Sequence, residues 1–174
     1  MGLHTTRLAL ALMLMLWSCS PPVAPDLVAA ALGGWAEAGG GAPAAVPMTI
    51  VELTNAERAR AGRSPLKANP RLMQAAQLQA EQMALIGKLS HVLSDGPYPQ
   101  PQDRLAAVGY QWRAFAENIA YGQTGPEAAT EGWMHSAGHR TNMLNAVYSE
   151  IGTAYIVDGR GRPYFVQVFG KPRS

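Results

Sequence analysis

The chain has 174 residues, of which 48% are hydrophobic, and a formal net charge of +2. This length accommodates one domain with additional segments. The hydrophobic content is high enough for a folded core and excludes a disordered chain. The small charge and the lack of basic runs argue against nucleic acid as a partner. Cys19 is the single cysteine, so no internal disulfide can form and the fold must depend on its core.

The first 18 residues have the pattern of an export signal. His4 and Arg7 precede a short apolar run over residues 8–17, which is shorter than the ~20 residues that a membrane-spanning helix needs. The sequence Leu16-Trp-Ser-Cys19 resembles a bacterial lipobox, in which the cysteine is acylated. We predict a lipoprotein signal peptide over 1–18 and lipidation of Cys19, which would leave the protein membrane-anchored and facing the periplasm or the cell surface. An uncleaved anchor and an ordinary secretory signal are the alternatives.

Residues 19–46 are rich in Ala, Pro and Gly and predict a flexible tether before a domain over 47–174. Arg7, Asp26 and Glu37 belong to the predicted signal peptide and tether. Without them, the domain has 13 basic and 10 acidic residues, a formal charge of +3. This mildly basic domain suits contact with an anionic envelope.

Helical patterns dominate the first half of the domain. Residues 48–61 predict a helix with apolar and polar positions, Arg58 being among the polar ones, and Gly62 ends this helix. Asn69-Pro70 is a cap followed by a first-turn proline, and it starts a helix that ends near Gly87. Shorter helices are predicted over 103–108 and from Thr124-Gly-Pro126 to about His135.

Strand patterns follow the helices. Residues 112–121 predict an extended or turning segment, and 151–157 and 164–169 predict a hairpin joined by the turn 158–161. Together these elements indicate an α+β fold with a small sheet.

Residues 132–144 predict the end of one helix, a tight turn and the start of another. Ser136 is a suitable N-cap, because its hydroxyl can accept from an amide of the first turn. His139 lies three positions later. The partial positive charge of a helix start disfavours imidazolium, so we predict that His139 is neutral near pH 7, as a metal ligand or a base must be. The alternative is that Ser136 only caps and His139 only packs.

Several short motifs follow one another along the domain in a characteristic order. They are Asn55-Ala-Glu-Arg58, Asn69-Pro-Arg-Leu72, Leu89-Ser-His91, Ala116-Glu-Asn-Ile-Ala120, Gly132-Trp-Met-His-Ser-Ala-Gly-His-Arg140, Glu150-Ile-Gly152 and Tyr164-Phe-Val-Gln-Val-Phe-Gly170. In order and spacing the domain resembles the CAP superfamily of cysteine-rich secretory proteins, antigen 5 and plant pathogenesis-related proteins, in its bacterial extracytoplasmic branch. The resemblance implies an α–β–α sandwich of three layers, the SCP-like fold, around a small antiparallel sheet.

The resemblance also implies a cleft that holds histidines and acidic residues. His91 matches the first histidine of the family, Glu117 its first glutamate and His139 its second histidine. Ser136 is the nearest match to a second glutamate, so one carboxylate of the family pattern is missing. We therefore expect a ligand-binding cleft lined by His91, Glu117, Ser136 and His139.

Two imidazoles and one carboxylate are suitable ligands for zinc or another divalent metal. His91 and His139 are the candidate metal ligands, and Glu117 would be a third ligand or would orient an imidazole. In a hydrolase, Glu117 and His139 would be the catalytic residues acting on a bound water. A serine mechanism through Ser136 lacks the strand-to-helix elbow that exposes such a nucleophile.

Three functions follow from these patterns. The first is an exported, lipid-anchored protein that binds an envelope lipid, a wall fragment or glycan, or a protein, with no certain cofactor. The second is a metal-dependent hydrolase acting on peptide or cell-wall substrates in the same cleft. The third is a structural role in which the polar cluster only holds the fold.

Overall fold

The computed structural model describes residues 45–173, which form helices on both faces of one sheet. The elements in chain order are α1 (Ala45–Arg60), β1 (Lys67–Ala68), α2 (Pro70–Ile86), α3 (Pro101–Ala107), β2 (Trp112–Tyr121), α4 (Pro126–His135), α5 (Ala137–Leu144), β3 (Glu150–Val157) and β4 (Pro163–Pro172). The predicted signal peptide, Cys19 and the predicted tether up to residue 44 lie outside the described residues. Ala45 and Val46 belong to α1, so this helix begins before the predicted boundary. None of the helices in the described part is long and apolar enough to cross a membrane.

Local capping sets the ends of α2 as the sequence predicts. The Asn69 side-chain oxygen accepts from the backbone N–H groups of Arg71 and Leu72, at 2.9 and 3.3 Å. Gly87 ends the helix in the left-handed conformation, with φ of 73°. Ser136 likewise occupies the N-cap position of α5, but its hydroxyl makes no capping hydrogen bond. The predicted side-chain cap at Ser136 was therefore wrong, although the helix boundary is confirmed.

The four strands form one sheet in the order β1-β3-β4-β2. The pair β3/β4 is antiparallel, as predicted for the hairpin. Residues 112–121, predicted as an extended or turning segment, form strand β2, which also pairs antiparallel with β4. The pair β1/β3 is parallel, which the sequence did not indicate, because two residues are too few to show a strand period. β1 and β2 are the two edge strands, so one side of β2 is not covered by another strand of the sheet.

Side chains alternate along β4 and divide the core into two layers. One cluster contains Tyr164, Val166 and Val168 with the buried residues of α2. The other contains Phe165 and Phe169 with the buried residues of α1, α4 and α5. Helices α2 and α3 therefore cover one face of the sheet and α1, α4 and α5 the other. This arrangement confirms the predicted α–β–α sandwich.

A chain of amide and hydroxyl side chains crosses the second core layer. Gln167 is fully buried on β4, where it donates to the Thr54 hydroxyl at 2.7 Å and accepts from the Asn118 amide at 3.0 Å. The Asn118 oxygen accepts in turn from Asn142 at 2.9 Å. Burying a polar group costs free energy unless the group is hydrogen-bonded. This chain satisfies them and joins α1, β4, β2 and α5.

Arg58 is buried, with 1% of its surface exposed, although the sequence placed it on the polar face of the first helix. Its guanidinium donates to the backbone oxygens of Ser64 at 2.8 Å, Met143 at 2.7 Å and Asn145 at 3.0 Å. Arg58 therefore ties α1 to the end of α5. Two of its three carbonyl partners lie 85 and 87 positions away, which a helical pattern cannot reveal.

We expect Gly152→Ala to lower the free energy of unfolding by about 3 kcal/mol, since overpacking against rigid atoms costs roughly this much. A Cβ at Gly152 would lie 2.0 Å from the backbone carbonyl carbon of Leu72 in α2. Gly159→Ala is the matched control, because no atom lies within 4 Å of its added Cβ. Urea unfolding of both variants measures the difference, and equal midpoints would contradict the close contact between β3 and α2.

Candidate functional site

Glu117 lies on the edge strand β2 and forms a buried ion pair with Arg104 of α3. The Arg104 Nη2 atom donates to Glu117 Oε1 at 3.2 Å and to Oε2 at 3.1 Å. The two side chains are 1% and 4% exposed, respectively. Neither charge is solvated by bulk water, so each depends on the other and on further hydrogen bonds. No sequence pattern indicated a role for Arg104.

His91 contacts the same carboxylate from the loop between α2 and α3. Its Nδ1 atom lies 2.8 Å from Glu117 Oε1, and 48% of its side chain remains exposed. An ionised carboxylate can only accept, so Nδ1 carries the proton in this contact. In the neutral ring, Nε2 is then an acceptor. Glu117 thereby sets both the tautomer and the orientation of His91.

The loop that carries His91 is anchored at several backbone atoms. Arg104 donates to the backbone oxygens of His91 at 3.2 Å and Tyr98 at 3.1 Å. Gln79, fully buried on α2, donates to the backbone oxygen of Ser90 at 2.7 Å. These contacts hold the His91 backbone in place without any contribution from its ring.

His139 approaches from the opposite layer. The Asn118 amide donates to the backbone oxygen of His139 at 3.1 Å, which fixes α5 against β2. Burial, and secondly the charge of His91, lower the pKa of the His139 imidazole from its ordinary value. The direction agrees with the prediction of a neutral His139, but burial and His91 are the causes rather than the helix start. The structure therefore brings the two imidazoles within electrostatic reach of one another at the edge of the sheet.

Ser136 and His135 precede His139 in the chain and differ in their exposure. Ser136 is half-buried, and within residues 45–173 its hydroxyl has no hydrogen-bond partner, His139 included. A serine nucleophile requires a base within hydrogen-bond reach, and His139 makes no such contact with Ser136 in this structure. His135 is exposed, and its Nδ1 lies 2.9 Å from the backbone oxygen of Glu131 in its own helix.

The donor set does not fit a resident zinc ion. Among the described residues, no group of three or more His, Cys, Asp or Glu side chains is arranged to hold a metal. Glu117 already accepts from Arg104 and His91, so it orients an imidazole instead of offering a free carboxylate. The predicted ligands His91 and His139 provide two donors, whereas catalytic zinc sites use three protein ligands.

We expect Arg104→Met to destabilise the protein by about 3–5 kcal/mol, because it leaves the buried Glu117 carboxylate without its cation. The double variant Arg104→Met/Glu117→Gln removes both charges and should recover at least half of this loss. Urea unfolding measures both. A double variant as unstable as the single one would show that packing, and not the charge, makes Arg104 necessary.

We also expect the stability of the protein to fall between pH 7.5 and pH 5.5 in a way that depends on His139. Its pKa is lowered in the folded state, so the unfolded chain binds the proton more readily and acid favours unfolding. His139→Gln should reduce this pH dependence, whereas His135→Gln at the exposed neighbouring position should not. Urea unfolding at the two pH values tests this, and an unchanged slope in His139→Gln would contradict it.

Two proteins of Bacillus subtilis (strain 168) are similar to this chain in sequence. The uncharacterized protein YkwD is 36% identical over 110 residues, which cover 63% of this chain and 42% of YkwD. The uncharacterized membrane protein YlbC is 34% identical over 122 residues, which cover 70% of this chain and 33% of YlbC. The matched region is thus less than half the length of each relative.

Solved structures share the fold at lower identity. An extracellular protein containing an SCP domain from Bacillus anthracis has a TM-score of 0.68 and 24% identity, covering 87% of this chain and 45% of that one. An outer surface protein from Borrelia burgdorferi has a TM-score of 0.66 and 18% identity, covering 72% of this chain and 92% of that one. At these identities the comparisons support the architecture alone.

The model of the CAP family, described as the cysteine-rich secretory protein family, matches residues 51–169. This span begins in α1 and ends in β4, and it includes His91, Glu117 and His139. The match covers most of the chain and agrees with the α–β–α architecture. The chain therefore belongs to the cysteine-rich secretory protein (CAP) family.

Proposed function

We propose that this protein is exported, lipid-anchored at Cys19, and binds a ligand in the cleft formed by His91, Glu117, Ser136 and His139. The observation that carries the proposal is the exposed ring of His91, which a buried carboxylate holds in one orientation. The Glu117 side chain is 4% exposed, whereas that of His91 is 48% exposed. Fixing a polar group before binding reduces the entropy that a ligand must overcome.

The cleft presents the hydrogen-bonding groups of two imidazoles and one hydroxyl. With Nδ1 directed at Glu117, the neutral form of the His91 ring offers Nε2 as an acceptor. The lowered pKa of His139 favours its neutral form, which has one donor and one acceptor nitrogen. The Ser136 hydroxyl adds another donor and acceptor. Hydroxyl and amide groups of a ligand can pair with these hydrogen-bond donors and acceptors. Such groups occur in lipid headgroups, wall glycopeptides and proteins.

The arrangement also favours binding over a purely structural role. Arg104 and Gln79 already hold the backbone of the His91 loop. The His91 ring adds one hydrogen bond to Glu117 while nearly half of its surface faces solvent. An exposed ring contributes little burial to stability, so its orientation is better explained by contact with a ligand.

The alternative function, a metal-dependent hydrolase on peptide or cell-wall substrates, stays a prediction. It requires Glu117 to act as a base toward a metal-bound water. Glu117 instead accepts from Arg104 and His91 in the structure. No contact among the described residues favours hydrolysis over binding.

A binding experiment with two probes tests the proposal. We expect N-acetylmuramyl dipeptide or dihexanoyl phosphatidylethanolamine to shift the His91 and His139 imidazole resonances of the full chain in NMR titrations. His91→Ala and His139→Ala should each weaken binding about tenfold, or ~1.4 kcal/mol, without changing the urea midpoint by a similar amount. His135→Ala, which changes an exposed histidine beside the cleft, should bind as the unchanged protein does.

Binding that survives both cleft substitutions would contradict the proposed site, as would the failure of both probes to bind. A Zn²⁺ titration of the same variants, with product release from the dipeptide measured in parallel, distinguishes the hydrolase. Zinc-dependent cleavage that is lost in His139→Ala would favour that alternative.

A further inference from the structure

Two shallow grooves meet at Ala146, and none of the four cleft residues lines them. The first has a volume of about 450 Å³ and is lined by Arg63, Arg140, Thr141, Leu144, Asn145 and Ala146. The second has a volume of about 460 Å³ and is lined by Arg113, Ala114, Ala146, Val147 and Lys171. Because Ala146 lines both, the grooves adjoin. We refer to them together as the Ala146 double groove.

The double groove is positively charged and lacks acidic residues. Arg63 and Arg140 line the first groove, Arg113 and Lys171 line the second, and no Asp or Glu lines either. Within residues 45–173, none of these four cations takes part in a salt bridge. Like charges in one concave surface repel each other and concentrate a positive potential there. A bound anion would relieve this repulsion.

A fifth cation lies behind the first groove. Buried Arg58 donates to the backbone oxygens of Met143 and Asn145, on either side of the groove residue Leu144. Burial, and secondly the charge of Arg63, lower the pKa of the Arg58 guanidinium from its ordinary value. The partners of Arg58 are neutral carbonyl groups, so its charge adds to the positive potential of the groove.

A β-bulge accounts for the position of Arg113. Trp112 pairs with Pro172 and Ala114 with Lys171, so Arg113 is an extra residue on β2 without a partner on β4. A bulge redirects the side chain of the extra residue. Arg113 lies outside the regular β2/β4 register, and its side chain lines the same groove as Lys171.

The chemistry of the lining selects the kind of anion. Arginine forks match phosphate oxygens, and Thr141 and Asn145 can bond hydroxyl groups. Cations in two adjoining grooves fit a ligand whose negative charges are spaced along a chain. Neither groove contains an aromatic side chain on which a nucleic acid base could stack. We propose that the Ala146 double groove binds a phosphodiester-linked polyol, independently of the histidine cleft.

Calorimetric titration of the full chain with a synthetic glycerol phosphate hexamer tests this proposal. We expect the hexamer to bind at least about tenfold more tightly than sn-glycerol 3-phosphate, because the second groove is then occupied intramolecularly. Its affinity should fall between about 25 mM and about 150 mM sodium chloride as the charges are screened. Arg63→Gln/Arg140→Gln and Arg113→Gln/Lys171→Gln should each weaken hexamer binding about tenfold.

The matched control is Lys88→Gln/Arg160→Gln, which removes two exposed cations that line neither groove. The control should retain most of the hexamer affinity, and His91→Ala/His139→Ala should retain all of it. An equal loss of hexamer affinity in the control would show that net charge alone explains the binding, and would overturn the site. The absence of hexamer binding to the unchanged protein would overturn it as well. Equally tight binding of a hexanucleotide or of oligogalacturonate would overturn the assignment to a phosphodiester-linked polyol. Loss of hexamer binding in the histidine variant would overturn the independence of the two sites.

Discussion

The buried ion pair between Arg104 and Glu117 is the contact on which the candidate site depends. Its two side chains are 1% and 4% exposed, so both charges have lost most of their hydration. Such a pair is tolerated when its remaining donors and acceptors are also satisfied. Arg104 meets this condition by bonding the backbone of His91 and Tyr98, and Glu117 does so by accepting from the His91 ring. One electrostatic constraint therefore positions both the loop and its imidazole.

The edge strand β2 explains how residues of two helical layers reach one site. Adjacent side chains of a strand point to opposite faces, so Glu117 meets Arg104 in one layer while Asn118 bonds to Gln167 and the His139 backbone in the other. A central strand would separate the two layers, because another strand would lie on each side of it. At the edge, His91 and His139 come close enough for the charge of one to lower the pKa of the other.

The two proposed binding surfaces differ in their electrostatics, which suits different ligands. The histidine cleft contains a carboxylate that is already paired with Arg104, and two imidazoles and a hydroxyl remain for hydrogen bonding. The Ala146 double groove instead gathers arginine and lysine side chains without acidic neighbours. Under the proposed lipid anchoring at Cys19, the domain would offer a polar ligand and an anionic polymer separate binding positions.

The amino-acid sequence by itself determined the features that depend on neighbouring residues. Asn69 and Gly87 mark the ends of α2 because caps act within one helical turn, and the motifs around His91, Glu117 and His139 identified the family and the candidate cleft. Only the tertiary structure decided which polar side chains are buried. Arg104 bonds a carboxylate 13 positions away and Gln167 a hydroxyl 113 positions away, whereas Ser136 has the position of a cap without its hydrogen bond. Such contacts depend on how the helices pack across the sheet, and no local pattern of residues specifies that packing.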